Sequence, residues 1–93
     1  MKIQASTRKE KKYMAIFDNG KKVHFGASGY SDFTKHKNEA RKQRYLARHA
    51  KRENWNNPYS PGALSRWILW NKSTLKASIA DYYNRFFKKS KDI

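Results

Sequence analysis

The clearest alternation of apolar and polar positions in the chain lies at Lys12-Tyr13-Met14-Ala15-Ile16-Phe17 and Lys21-Lys22-Val23-His24-Phe25, two β-favouring runs separated by Asp18-Asn19-Gly20. Asn-Gly between such runs predicts a type I′ hairpin, because both central residues of that turn need positive φ. With Asn19 and Gly20 as a two-residue loop, Ile16 lies opposite Val23 and Met14 opposite Phe25. Those four residues then form the core face, and Tyr13, Ala15, Phe17, Lys22 and His24 form a wetter, more basic face. On that register Ile16→Asp should damage the fold far more than Phe17→Ser. An earlier run from Lys2 to Arg8 alternates Ile3, Ala5 and Thr7 and predicts a third strand, joined across Lys9-Glu10-Lys11. The strand region covers about residues 2–26.

Gly26-Ala27-Ser28-Gly29 ends the alternation of period two, and Ser31 or Asp32 is placed to cap a helix over about 32–54. At about 100° per residue, Lys37, Arg41, Arg44, Arg48, Lys51 and Arg52 share roughly a third of its circumference. Ala40, Leu46, Ala47 and Ala50 occupy another arc and predict a thin docking stripe. Ser60-Pro61 signals the start of a short helix over about 60–71, since serine caps and proline suits the first helical position. Its Leu64, Trp67, Ile68, Leu69 and Trp70 are apolar nearly all round, the pattern of a buried helix. Ser73 is placed to cap a last helix over about 73–88, with Leu75, Ile79, Tyr82, Tyr83 and Phe86 on one face and Lys88 and Lys89 at its end.

These elements predict an α+β domain, a small antiparallel hairpin or three-stranded sheet packed on about three helices. A length of 93 residues leaves room for one domain. A hydrophobic fraction of 38% is low, yet three Trp, six Tyr and five Phe supply the area a small core needs. Without cysteine there is no disulfide scaffold, thiol chemistry or cysteine zinc site. No apolar run approaches the ~20 residues that cross a bilayer, so a soluble, intracellular chain is expected.

Charge changes the picture most. Twenty-two Lys and Arg stand against seven Asp and Glu, a formal net charge of +15, so most positive charge must sit unpaired on the surface. Such a surface attracts polyanions, and nucleic acid releases many counterions at once when it binds. An ordinary helical face mixes signs at i,i+4, whereas like charges so spaced repel. Glu39 and Glu53 are the only acids in the predicted basic helix, so its repulsion calls for a polyanionic partner. Lys21 and Lys22, with Lys9, Lys11 and Lys12, suggest a second phosphate-contacting patch, and Arg66, Lys88 and Lys89 widen the footprint. Trp67 and Trp70 are assigned to packing, and Trp55 to a loop beside the basic helix. His24, His36 and His49 have neither zincin nor zinc-finger spacing, and the acids are scattered singly, so no metal, cofactor or enzymatic activity is expected.

Three stretches carry a resemblance. They are Val23-His24-Phe25-Gly26 through Gly29-Tyr30-Ser31-Asp32-Phe33-Thr34; Arg44-Tyr45-Leu46-Ala47-Arg48-His49 with Glu53-Asn54-Trp55; and Pro61-Gly62-Ala63-Leu64-Ser65-Arg66-Trp67-Ile68-Leu69-Trp70. Together, over about residues 11–87, the chain resembles a family of small basic proteins encoded by nucleocytoplasmic large DNA viruses, including giant amoebal and algal viruses. The resemblance implies a viral origin and a place in the virion interior or in the host cytoplasm or nucleus. It brings no catalytic or binding residues, and Lys2 to Lys9 lie outside it. The expected function is non-sequence-specific binding of nucleic acid, double-stranded DNA above all, through Lys37, Arg41, Arg44, Arg48, Lys51, Arg52, Lys21, Lys22 and Arg66, to condense or coat a genome. The alternative is a minor virion structural or interaction protein, with other virion proteins as partners, whose basic face binds an acidic protein or a membrane surface.

Overall fold

A computed structural model describes residues 1–87. Lys88 and Lys89 lie outside that range. The fold is α+β: strands β1 (Lys2–Ala5), β2 (Lys11–Ile16) and β3 (Lys22–Ala27) form one antiparallel sheet in the order β1-β2-β3. The helical part follows as α1 (Phe33–His36), α2 (Glu39–His49), α3 (Pro61–Leu64), a π-helical turn at Ser65–Leu69, and α4 (Leu75–Phe86). The third strand expected from Ile3 and Ala5 is present, with Ile3 opposite Ala15.

The β2–β3 register differs by one residue from the two-residue loop read in the sequence. The Phe17 N–H donates to the Lys21 carbonyl and the Gly20 N–H to the Phe17 carbonyl, each at 2.9 Å, so Asp18, Asn19 and Gly20 form a three-residue loop. Gly20 has φ +89°, while Lys37 is the only non-glycine among the described residues with positive φ, so Asn19 does not take the backbone that a type I′ turn demands. Asn19 instead accepts the Lys21 N–H on Oδ1 at 2.9 Å. A one-residue slip exchanges the faces of a strand. Ala15 therefore faces Val23 and Tyr13 faces Phe25. The core face carries Ala15, Phe17, Val23 and Phe25, and Ile16 is only half-buried, the reverse of the expectation for Ile16 and Phe17. Met14 is buried at 5% exposure, yet it pairs with His24 and belongs to the other face.

Leu64, Ile68, Leu69 and Tyr82 complete the core against that sheet face. Ser60 accepts the Ala63 N–H and Pro61 stands in the first turn of α3, as the Ser-Pro signal predicted. The π turn that follows ends where the Trp70 N–H reaches the Ser65 carbonyl at 3.0 Å. Thr74, rather than Ser73, caps α4 by accepting from Ala77. Tyr82 is buried in α4 and donates its hydroxyl to the Pro58 carbonyl, whereas Tyr83, expected on the same face, is 48% exposed. A close approach locks sheet to helix at Gly26, where φ is +82° and a Cβ would meet Leu69 Cδ1 at 2.9 Å.

The long basic helix expected over 32–54 is two helices. Asp32 caps α1, Lys37 turns left-handed with φ +54°, and Asn38 accepts the Arg41 N–H to start α2. Two good N-caps six residues apart each offer the backbone a helix start, and the turn between them changes the helix axis. The chain leaves α2 after His49.

Candidate nucleic-acid interface

Breaking the helix divides the expected basic rail. Arg41, Arg44 and Arg48 remain together on α2, all exposed, within about 60° of its circumference. None of the three has an acidic partner among the described residues. Glu39, the acid nearest them in the helix, accepts instead from Gln43 at 2.7 Å. Lys51 and Arg52 are exposed in the turn after the helix, where the Arg52 and Glu53 N–H groups both reach the His49 carbonyl. Lys37 stands before α2, off the rail, with Nζ 2.8 Å from the Thr34 carbonyl oxygen.

The face that docks α2 is not the alanine stripe. Ala40, Ala47 and Ala50 are exposed and Leu46 is half-buried. Tyr45 does the docking: its ring is parallel to Trp70 within 5° at 4.3 Å and stacks on His49 at 4.2 Å. Burial of this ring pushes the Tyr45 hydroxyl above its usual pKa, with Glu53 adding to the shift, so it stays neutral. Lys42 also belongs to this inner face, donating to the Asn71 carbonyl at 2.8 Å and lying 4.8 Å from the Phe33 ring centre. Periodicity alone assigned Lys42 and Tyr45 to neither face, because a lysine stem and an aromatic ring each suit a boundary.

Behind α2, Lys12 of β2 forms an ion pair with Asp32 at 2.6 Å and donates to the Tyr30 carbonyl. Asp32 is 1% exposed, so this pair holds the cap of α1 against the sheet. Lys12 is thereby a structural cation, its ammonium already engaged within the fold. The basic residues that the sequence suggests as one hairpin patch are also separated. Lys9 and Lys11 lie at the start of β2 and Lys21 and Lys22 at its far end, about 16 Å away along the strand. Lys21 Nζ lies 5.6 Å from the Tyr59 ring centre, on the side remote from Lys11.

Arg66 is withdrawn from the surface. Its guanidinium donates to the Trp70 carbonyl at 2.9 Å and lies 4.0 Å from the Trp67 ring centre, which Arg85 also approaches at 3.6 Å. Burial and the neighbouring Arg85 lower its pKa, so the site opposes its charge while hydrogen bonding and aromatic contact hold it. Trp55 is likewise committed: its indole N–H donates to Glu53, and its carbonyl accepts from Trp67. Among the described residues no group of three or more His, Cys, Asp or Glu is placed to hold a metal, and no helix is long and apolar enough to cross a membrane.

Residues 1–49, the whole sheet with α1 and α2, match the family described as a family of unknown function, DUF5754. The chain belongs to this family. The DUF5754 match takes in Lys21, Lys22, Lys37 and the three α2 arginines, and Lys51, Arg52 and Arg66 fall beyond it. No curated protein and no solved structure matches the chain.

Proposed function

We propose that this chain is a non-enzymatic nucleic-acid-binding protein that grips the phosphate backbone with little regard to sequence. The observation that carries this reading is the exposed trio Arg41, Arg44 and Arg48 on one face of α2, without an acidic partner among the described residues. Lys51 and Arg52 extend the footprint from the following turn, and Lys37 and Lys11 flank it. Lys21 and Lys22 form a separate, weaker contact at the hairpin tip. Phosphate contacts of this kind position a duplex without reading bases. The resemblance over residues 11–87 supplies a setting, a viral genome coated or condensed inside a virion.

Replacing Arg41, Arg44 and Arg48 together with Gln keeps helix propensity and removes three charges. On duplex DNA the slope of log affinity against log salt should shrink by about two to three, at about 0.9 per phosphate contact. Affinity should fall similarly on duplexes of unrelated sequence. A control that removes the same charge at the exposed Lys2, Lys72 and Lys76, outside the footprint, should change the slope less. Equal losses in both variants would mean that net charge alone governs binding, and an unchanged slope in both would favour an acidic protein surface as partner.

A further inference from the structure

A cleft of about 480 Å³ lies between the Lys11–Ala27 end of the β2–β3 hairpin, α2 and the π turn. That volume is in the range of small-ligand sites. Seven ionisable side chains other than tyrosines line it: the cations Lys11, Lys12, Arg41 and Arg48 outnumber the carboxylates Asp32, which pairs with Lys12, and Glu53, which lies 2.8 Å from His49. Lys11, Arg41 and Arg48 remain without acidic partners among the described residues, so the cleft carries a net positive charge. An anionic group is the complement.

The second independent feature is aromatic. Tyr30 lines the cleft and is 74% exposed, the most exposed large hydrophobic residue among those described. Its ring is open although its backbone is held, the carbonyl accepting from Lys12 at 2.6 Å and the N–H reaching the Ala27 carbonyl. The Tyr45 and Trp70 rings, already stacked on each other, and Leu69 line the interior. An anchored residue with a free aromatic face beside three available cations suits a ligand that joins a flat ring to a phosphate. A peptide rich in carboxylates would use the cations and leave the ring idle.

We propose that this cleft takes one unpaired nucleotide of a single strand, its phosphate held by Lys11, Arg41 and Arg48 and its base stacked on Tyr30. The proposal rests on the phosphate-backbone reading for its ligand class and adds a preference for gaps, ends or unpaired stretches. A base stacked within a duplex has no free face for Tyr30. Stacking on an aromatic ring is tolerant of base identity, so the site adds strand preference without sequence preference.

The test uses the full chain, an oligothymidylate of about eight nucleotides, within the site sizes of single-strand binders, and a blunt duplex of the same total charge. Tyr30→Ala should weaken binding of the oligothymidylate about fivefold to a hundredfold, the usual effect of removing one stacking ring, and leave blunt-duplex binding unchanged. Tyr30→Phe should restore it. Ala27→Trp, which obstructs the cleft without removing charge, should reproduce the loss. The inference is overturned if Tyr30→Ala leaves oligothymidylate binding unmoved or weakens both ligands equally. It is also overturned if oligoglutamate displaces the oligothymidylate and loses as much affinity on Tyr30→Ala, which would assign the cleft to an acidic peptide. Duplex binding with its salt slope intact would leave the backbone reading standing in each of these cases. Single-strand binding that depends on Tyr30, with no duplex binding, would keep the cleft and remove the duplex reading.

Discussion

Phe17 and Ile16 are neighbours in sequence and opposites in role. Phe17 is buried in the core, with its ring 4.7 Å from Tyr59 in an edge-on contact, whereas Ile16 lies on the other face of β2 and pairs with Lys22. Phe17→Ala removes a buried ring and leaves a cavity, and should cost about 3–5 kcal/mol in a denaturant titration. Ile16→Ala should cost about 1–2 kcal/mol, since a half-buried side chain loses less apolar area. A larger loss at Ile16 than at Phe17 would restore the register of the two-residue loop. Arg66 is withdrawn from the surface for an equally local reason. The Trp70 carbonyl and the Trp67 ring offer a guanidinium fixed partners, and sequence spacing says nothing of partners that arrive from the next turn or from α4.

At the scale of elements, the junction between α1 and α2 decides where the cations of α2 point. His36 sits at the end of α1 and accepts the Asn38 N–H on Nδ1 at 2.9 Å, so its proton is on Nε2. Burial and the nearby Arg41 hold its pKa below the ordinary 6.5, outweighing the opposite pull of Asp32. A histidine whose folded pKa is lowered contributes full stability above about pH 6.5, and that contribution is lost as pH falls through the folded value. Protonation would also set an N–H on Nδ1 against the Asn38 N–H. Denaturation midpoints of the wild type should therefore fall between about pH 7 and pH 5. His36→Asn, whose side-chain oxygen can replace the Nδ1 acceptor without titrating, should flatten that fall. A variant with the same pH dependence as the wild type would remove His36 from the account.

The molecule as a whole holds 22 basic residues against seven acids, and the described residues contain three ion pairs of permanently charged groups, one made by the N-terminus, beside the His49–Glu53 contact. Most positive charge is therefore exposed to repulsion, which salt screens over about 8–10 Å at physiological strength. The melting temperature should rise when sodium chloride is raised from about 20 to about 200 mM, and rise further with a bound duplex, which stabilises by mass action. A melting temperature that falls with added salt would mean that the few ion pairs, rather than repulsion, dominate the surface. The arrangement of the charge matters as well as its sum. Arg41, Arg48 and Lys11 share a cleft, while Lys21 and Lys22 face another part of the surface at the far end of the hairpin.

What the sequence determined by itself was whatever local physics decides. Alternation in β1 to β3, the Ser60-Pro61 cap and the apolar run Leu64 to Trp70 named the elements and the α+β class, because pleat, capping and amphipathicity act over a few residues. Composition likewise determined that the chain carries a large positive surface. Tertiary structure decided the rest. The hairpin loop took three residues because Asn19 used its side chain on the Lys21 N–H and Gly20 alone adopted positive φ, and that single-residue shift chose Phe17 over Ile16 for the core. Two caps competed within 32–38 and broke a helix that periodicity ran straight through. The cleft gathers residues from β2, β3, α2 and the π turn, from Lys11 to Trp70 in sequence. Its ring at Tyr30 and its cations at Lys11, Arg41 and Arg48 become neighbours only through the packing of sheet against helix, which no local pattern encodes.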